Sequence, residues 1–200
     1  MTLVSEDIES GTRERILEVA ERLFRQIGHQ KTTVGDIAKE LRMSTANVYR
    51  FFESKRAIQR AVAQSLMGEV ELEAQRIFAR PGPMRERFRD LLTTINRLNT
   101  ERYVGDCKLH EMVEVAMQED WDVCAAHIHR VTEIIGAFIA QGVTSGDFET
   151  LDVPLAALCT CTAMTRFFHP QMIAQAANKP GPSIDQMIDF VIAGLKPSGK

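Results

Sequence analysis

Three residues that favour helix N-termini, Thr33, Ser44 and Ser54, follow one another in this chain at intervals of eleven and ten residues. A Ser or Thr side chain accepts a hydrogen bond from the unpaired N–H groups of a first helical turn, so each of them marks a start. Thr33 also has Asp36 three residues on, a near capping box. The spacing predicts a short helix from Thr33 to about Leu41, a second from Ser44 to Phe52, and a long third from Ser54 to Arg80. Pro81-Gly82-Pro83 must break the third. Ahead of them, Ile16, Ala20, Leu23, Phe24 and Ile27 recur as one stripe of a helix. Gly28 then tolerates the left-handed conformation that ends many helices.

Apolar residues keep threefold and fourfold spacing to the C-terminus, and no stretch alternates as a strand does. Met84 to about Arg102 reads as a helix with Phe88, Leu91, Leu92 and Ile95 inward, and Asp106 to Gln118 as a shorter one. Trp121 to Gly142 follows, where Cys124, Ile128, Val131, Ile135 and Phe138 are spaced for helix packing. Thr144 to Asp147 is a turn around Gly146. Asp152 to Phe168 carries so little polar surface that burial on most sides is expected. His169-Pro170 and Lys179-Pro180-Gly181-Pro182 delimit loops, and Ile184, Met187, Ile188, Val191, Ile192 and Leu195 give a last amphipathic helix. The expected fold class is all-α, with nine helices.

Charge divides the chain. Net charge is −3 over 200 residues. Gly11 to Arg60 holds eleven Lys or Arg against six Asp or Glu, whereas residues 61–200 hold thirteen against eighteen. A basic module ahead of an acidic one implies that only the first faces phosphate. The N-terminus lacks the basic and apolar regions of a signal peptide, and the charge-free stretch from Val153 to Thr165 is too short to span a bilayer. A cytoplasmic chain with no membrane partner is expected. Cys107, Cys124, Cys159 and Cys161 form no CxxC pair and read as reduced core thiols.

Two short helices joined by a tight turn, behind a packing helix, are the parts of a helix-turn-helix. Val34, Ile37, Ala38 and Leu41 face inward on the first short helix, and Val48, Phe51 and Phe52 close the core around the second. Thr45, Ala46, Asn47, Tyr49 and Arg50 are left pointing outward. Asn pairs bidentately with adenine and Ala touches a thymine methyl in the major groove, while Tyr49, Arg50 and Lys55 suit phosphates. Paired short amphipathic helices also occur in proteins with no DNA partner.

From Arg13 to Lys55 the chain resembles the N-terminal domain of the tetracycline-repressor (TetR) family of bacterial regulators. The likeness rests on Ile16, Ala20, Leu23-Phe24, Gly28, Thr32-Thr33-Val34, Asp36-Ile37-Ala38, the run from Ser44 to Phe52, and Ser54-Lys55. The resemblance implies that Thr33, Thr45, Tyr49 and Lys55 bind the DNA backbone and that Ala46 and Asn47 approach base edges, with Ser44 and Arg50 beside them. Ala46 stands where the family commonly has Gly, and Asn47 where Thr is usual, which alters the expected operator rather than the fold. Gly35 inside a helix costs about 1 kcal/mol relative to Ala, so it is either tolerated or serves close approach to DNA.

The resemblance further implies a flexible start (1–11), a three-helix DNA-binding domain (12–55) and a six-helix domain (56–200) that binds an effector and dimerises. Its dimer interface would fall at about 152–168 and 183–195. An uncharged helix such as Leu155 to Thr165 needs a covering partner, unless it is simply the monomer's central helix. Candidate pocket residues are Met67, Phe88, Leu91, Ile95, His110, Met112, Met117, Trp121, Cys159, Thr162 and Phe167, an adaptable apolar set with His110 or Thr162 to orient a ligand. Cys107-x-x-His110 and Cys124-x-x-His127 invite a metal or redox reading. They lack the tight knuckles of structural zinc sites and any basic neighbour to favour a thiolate, so no metal or cofactor is expected. No nucleophile–base–orienter set is present, which argues against an enzyme. The expected function is a repressor released from a palindromic operator by a small apolar effector. The alternative is a DNA-anchored interaction protein with no effector.

Overall fold

The structure, a computed structural model, describes residues 2–103, 108–109, 111–112, 115, 122–176 and 179–195. Among the described residues there are nine helices and no strand: α1 (Thr2–Ile27), α2 (Val34–Glu40), α3 (Thr45–Phe51), α4 (Lys55–Ala79), α5 (Met84–Tyr103), α6 (Asp122–Ser145), α7 (Val153–Phe168), α8 (Pro170–Ala176) and α9 (Ile184–Gly194). The three caps legible in the sequence form. Thr33 and Asp36 close a capping box, Ser44 accepts from the Asn47 N–H, and Ser54 accepts from the Ala57 N–H. Gly28 takes φ +93° beyond α1, as a left-handed helix end requires.

Several expectations need correction. The backbone of residues 2–11, expected as a loose tail, continues α1. Ile27 is 42% exposed, because α1's inward stripe ends with Phe24, one turn before the helix does. Residues 170–176, expected as loop, form α8. Pro170 is its first residue, where a missing N–H costs nothing and the fixed φ suits a helix. The expected helix at 106–118 falls mostly outside the described residues.

Two apolar cores share one helix. Ile16, Phe24, Ile37, Val48 and Phe52 form the N-terminal core with Ile58, Val62 and Leu66 of α4. Leu109 and Met112 are fully buried in that same core. Val70, Ala74 and Ile77 of α4 enter the second core with Phe88, Leu91, Ile135, Phe138, Met164 and Ile188. At its far end Gly142 and Phe148 touch so closely that a Cβ on Gly142 would lie 2.1 Å from the ring.

By length and composition α6 is the one helix among the described residues able to cross a membrane. Here it packs against α4, α5 and α7 as a core helix. α7 is less buried than its composition predicts. Only Ala157, Thr160 and Met164 are buried, and Leu155 and Leu158 are 55% and 56% exposed.

Candidate functional site

The turn between α2 and α3 is tight because Arg42 adopts φ +54° and the Met43 N–H reaches back to the Ala38 carbonyl at 2.9 Å. Val48, fully buried, then fixes α3 against α2 and α4. At 3.6 residues per turn, the side opposite Val48 is centred on Ala46 and Arg50, with Thr45 and Tyr49 on one flank and Asn47 on the other. Thr45, Ala46, Tyr49 and Arg50 are exposed and Asn47 is half-buried, its amide 4.0 Å from the Met43 sulfur.

Thr33 and Lys55 already spend on the chain itself the groups that would reach a phosphate. The Thr33 hydroxyl donates to the Asp36 carboxylate at 2.7 Å and accepts from the Asp36 N–H at 3.1 Å; that donated bond and another from the Thr33 N–H at 2.8 Å hold the Asp36 carboxyl below its ordinary pKa. Lys55, at the positive end of α4, swings its ammonium to the Gln30 carbonyl at 2.9 Å, and partial burial lowers its pKa. The sequence singled out neither Arg13 nor Arg60, which line an open groove with Tyr49 and Arg50. Arg13 lies 4.8 Å over the Phe52 ring, a contact that no local spacing announces. A side chain at Gly35 would meet only Thr33 Oγ1 at 3.4 Å and Thr45 Cγ2 at 4.0 Å, so the fold itself does not demand glycine there.

Behind this head, a cavity of about 260 Å³ lies among α4, α5, α6, α7 and the start of α8. Its walls are Met67 of α4; Ile95 and Asn99 of α5; Cys124, His127, Ile128, Val131 and Thr132 of α6; Leu158, Cys161, Thr162, Thr165 and Phe168 of α7; then His169 and Pro170. Glu71, outside the wall, accepts from Arg130 Nε at 2.7 Å and pairs with His127 Nδ1 at 3.1 Å. Burial pushes the Cys124 and Cys161 thiols up, which keeps them protonated. Among the described residues no three His, Cys, Asp or Glu side chains converge to hold a metal.

Residues 16–62 match the family model described as bacterial regulatory proteins, tetR family, and residues 84–186 match the tetracyclin repressor-like C-terminal domain. The chain belongs to the TetR family. It is therefore a DNA-binding transcriptional regulator, of a kind that binds operators and small ligands, typically as dimers. It is 28% identical over 151 residues to the HTH-type transcriptional regulator AcrR of Shigella flexneri, covering 70% of this chain and 69% of that one. A TetR/AcrR-family regulator from Thermobifida fusca shares the fold with a TM-score of 0.58 at 24% identity, over 92% of this chain and 95% of that one. A regulator from Saccharomonospora viridis, solved in complex with choline, does so with a TM-score of 0.65 at 23% identity, over 91% and 94%.

Within this TetR-family chain, Met67, Ile95 and Thr162 of the expected pocket residues reach the cavity wall. Phe88 and Leu91 are fully buried in the C-terminal core instead, and Phe167 packs against that core. Met112 belongs to the N-terminal core, and Cys159 is exposed on α7. His110, Met117 and Trp121 lie outside the described residues. Of the wall residues that sequence reasoning missed, Thr132 and Thr165 are polar positions on the mainly apolar α6 and α7, and that interruption was the available signal; Asn99 lies on the polar-rich α5 and carried none.

Proposed function

We propose that this regulator is a repressor: a homodimer that holds a two-fold operator and releases it when a small organic effector fills the cavity. The observation that carries this is the course of α4. Its first half is core to the reading head and its second half is core to the larger domain; Met67 between them forms part of the cavity wall. A ligand that favours one placement of α4 therefore favours one placement of α3, which is the differential affinity a population shift needs. Leu109 and Met112, buried against the reading head, supply a second mechanical link.

Thr45, Ala46, Asn47, Tyr49 and Arg50 are the proposed operator contacts, with Ser44, Thr33 and Lys55 at the phosphates. Thr33 and Lys55 would exchange their internal bonds for phosphate oxygens. The exposed faces of α7 and α9 are the proposed dimer interface, which sets two heads 34–36 Å apart on successive turns of the major groove. The cavity favours an effector over the alternative of a purely DNA-anchored interaction protein, for which a closed domain would be expected. We infer a regulator rather than an enzyme, a reading that the family membership supports, acting in the cytoplasm where the operator lies.

The test begins with selection of bound sequences from random DNA, then gel-shift titration of Asn47→Ala and Tyr49→Phe against the operator obtained. Both variants should bind more weakly, and Asn47→Ala should also relax the base preference. Parental affinity and preference in both variants would remove α3 as the reading helix.

A further inference from the structure

We propose that the cavity selects an uncharged ligand that donates hydrogen bonds: a phenol, or a like hydroxyl on an aromatic body. This rests on the cavity being the sensing site. Charge comes first. No Asp, Glu, Lys or Arg lines the wall. Glu71, which meets the wall residue His127 at 3.1 Å, is already neutralised by Arg130 at 2.7 Å. A charged ligand would surrender its hydration and meet no counterion.

The direction of the wall's hydrogen bonds then sets the ligand's polarity. A threonine hydroxyl has one proton and two lone pairs. On this wall each proton is spent on the preceding helical turn: Thr132 donates to the Ile128 carbonyl at 2.8 Å, Thr162 to Leu158 at 2.8 Å and Thr165 to Cys161 at 3.1 Å. Each hydroxyl thus leans between two residues of the wall and presents lone pairs. Thr132 has no proton left for Cys161, 3.4 Å away, so the thiol is the donor in that pair. Asn99, only 7% exposed, donates its Nδ2 to the Phe168 carbonyl at 2.9 Å and has in its Oδ1 a further acceptor. Apart from the His127 and His169 imidazoles, which can donate or accept, the polar side chains of the wall present oxygen lone pairs that a ligand complements by bringing its own proton. Phe168, Met67 and Cys124 supply aromatic and sulfur surfaces against which a flat ring packs well.

Isothermal titration of the full-length protein with 4-propylphenol, its methyl ether, 4-propylbenzoate and choline tests this, with operator release read in parallel by gel shift. The phenol should bind at least tenfold more tightly than the ether, and the benzoate and choline should not bind. Met67→Trp, which fills the cavity, should abolish phenol binding. Thr162→Val with Thr165→Val should bring the phenol-to-ether ratio towards one. If the ether matches the phenol and both release the operator, the donor preference is wrong and the sensing role stands. Tighter binding of the benzoate or choline also overturns it. Failure of all four to bind overturns the preference and the sensing role together.

Discussion

Gly35 and His29 show how single residues of the reading head answer to different demands. Glycine inside a short helix gives up helix propensity, and here the chain's own atoms leave room for a side chain. The position is exposed beside Thr33 and Thr45, which suits a close approach of the DNA backbone under the proposed operator contact. Gly35→Ala should therefore leave folding stability unchanged or raise it by up to about 1 kcal/mol, while operator affinity falls severalfold. Urea unfolding and gel shift on one preparation would decide; unchanged affinity removes the close-approach argument. His29 answers to the interior. It is 5% exposed, its Nδ1 lies 2.9 Å from Gln59 Nε2, and its buried Nε2 has no hydrogen-bond partner among the described residues. Burial first, then Lys55, lower its pKa below the ordinary 6.5, against an opposing pull from Glu111. Below pH 6.5 the unfolded chain therefore binds a proton that the native imidazole resists. The stability contributed by neutral His29 is complete above that pH and is lost as the pH falls from there through the lower native pKa. Between pH 7.5 and 5.5 the urea midpoint should drop more for the parent than for His29→Gln; equal drops would mean that His29 does not titrate against the fold.

At the scale of elements, what the sequence disclosed and what it hid have one physical cause. Caps and helix stops are local, so Thr33, Ser44, Ser54, Asp152 and Ser183 start helices where their side chains can reach an N–H three residues on. Which face of a long helix meets which neighbour is not local. Ile128 has the spacing of a core residue, yet it is 54% exposed on the cavity wall, and the uncharged α7 leaves Leu155 and Leu158 uncovered. Outward residues of α3 were legible because a seven-residue helix with one buried position has little choice of face. The cavity was only partly legible because five helices must meet to enclose it. The same non-local logic points to the ion pair between Arg60 of α4 and Asp122, the first residue of α6, at 3.0 Å. Both side chains are well exposed, 50% and 86%, so the pair should contribute roughly 1 kcal/mol or less to stability. It nevertheless joins the helix that carries the cavity's Cys124 and His127 to the reading-head half of α4. Asp122→Asn is the cleaner probe, because Arg60 also lines the groove beside Tyr49. The variant should melt with the parent and bind the operator equally without effector, yet need about fivefold more effector for half-release, as expected for about 1 kcal/mol of lost coupling. An unchanged release curve would confine the signal to α4 itself and to the contacts of Leu109 and Met112.

The whole molecule presents an imbalance that a second copy would resolve. Leu155 and Leu158 of α7 and Phe190 of α9, 71% exposed, are apolar, and Ala193 and Gly194 extend the α9 side without charge. α9 packs on α5 and α7, so the helices that carry these residues are neighbours in the larger domain. A monomer would leave these residues in water, whereas isologous pairing places each face against its own equivalent and closes the assembly at two. Dimerisation and operator affinity are then coupled, because the second head binds at the high effective concentration set by the first. Leu155→Asp with Phe190→Asp adds charge at these positions without touching either core. The doubly substituted chain should keep its helical content, sediment as a monomer at concentrations where the parent is a dimer, and lose on the order of a hundredfold in operator affinity. A dimer that survives both changes would move the interface to another face, and with it the spacing of the two reading heads.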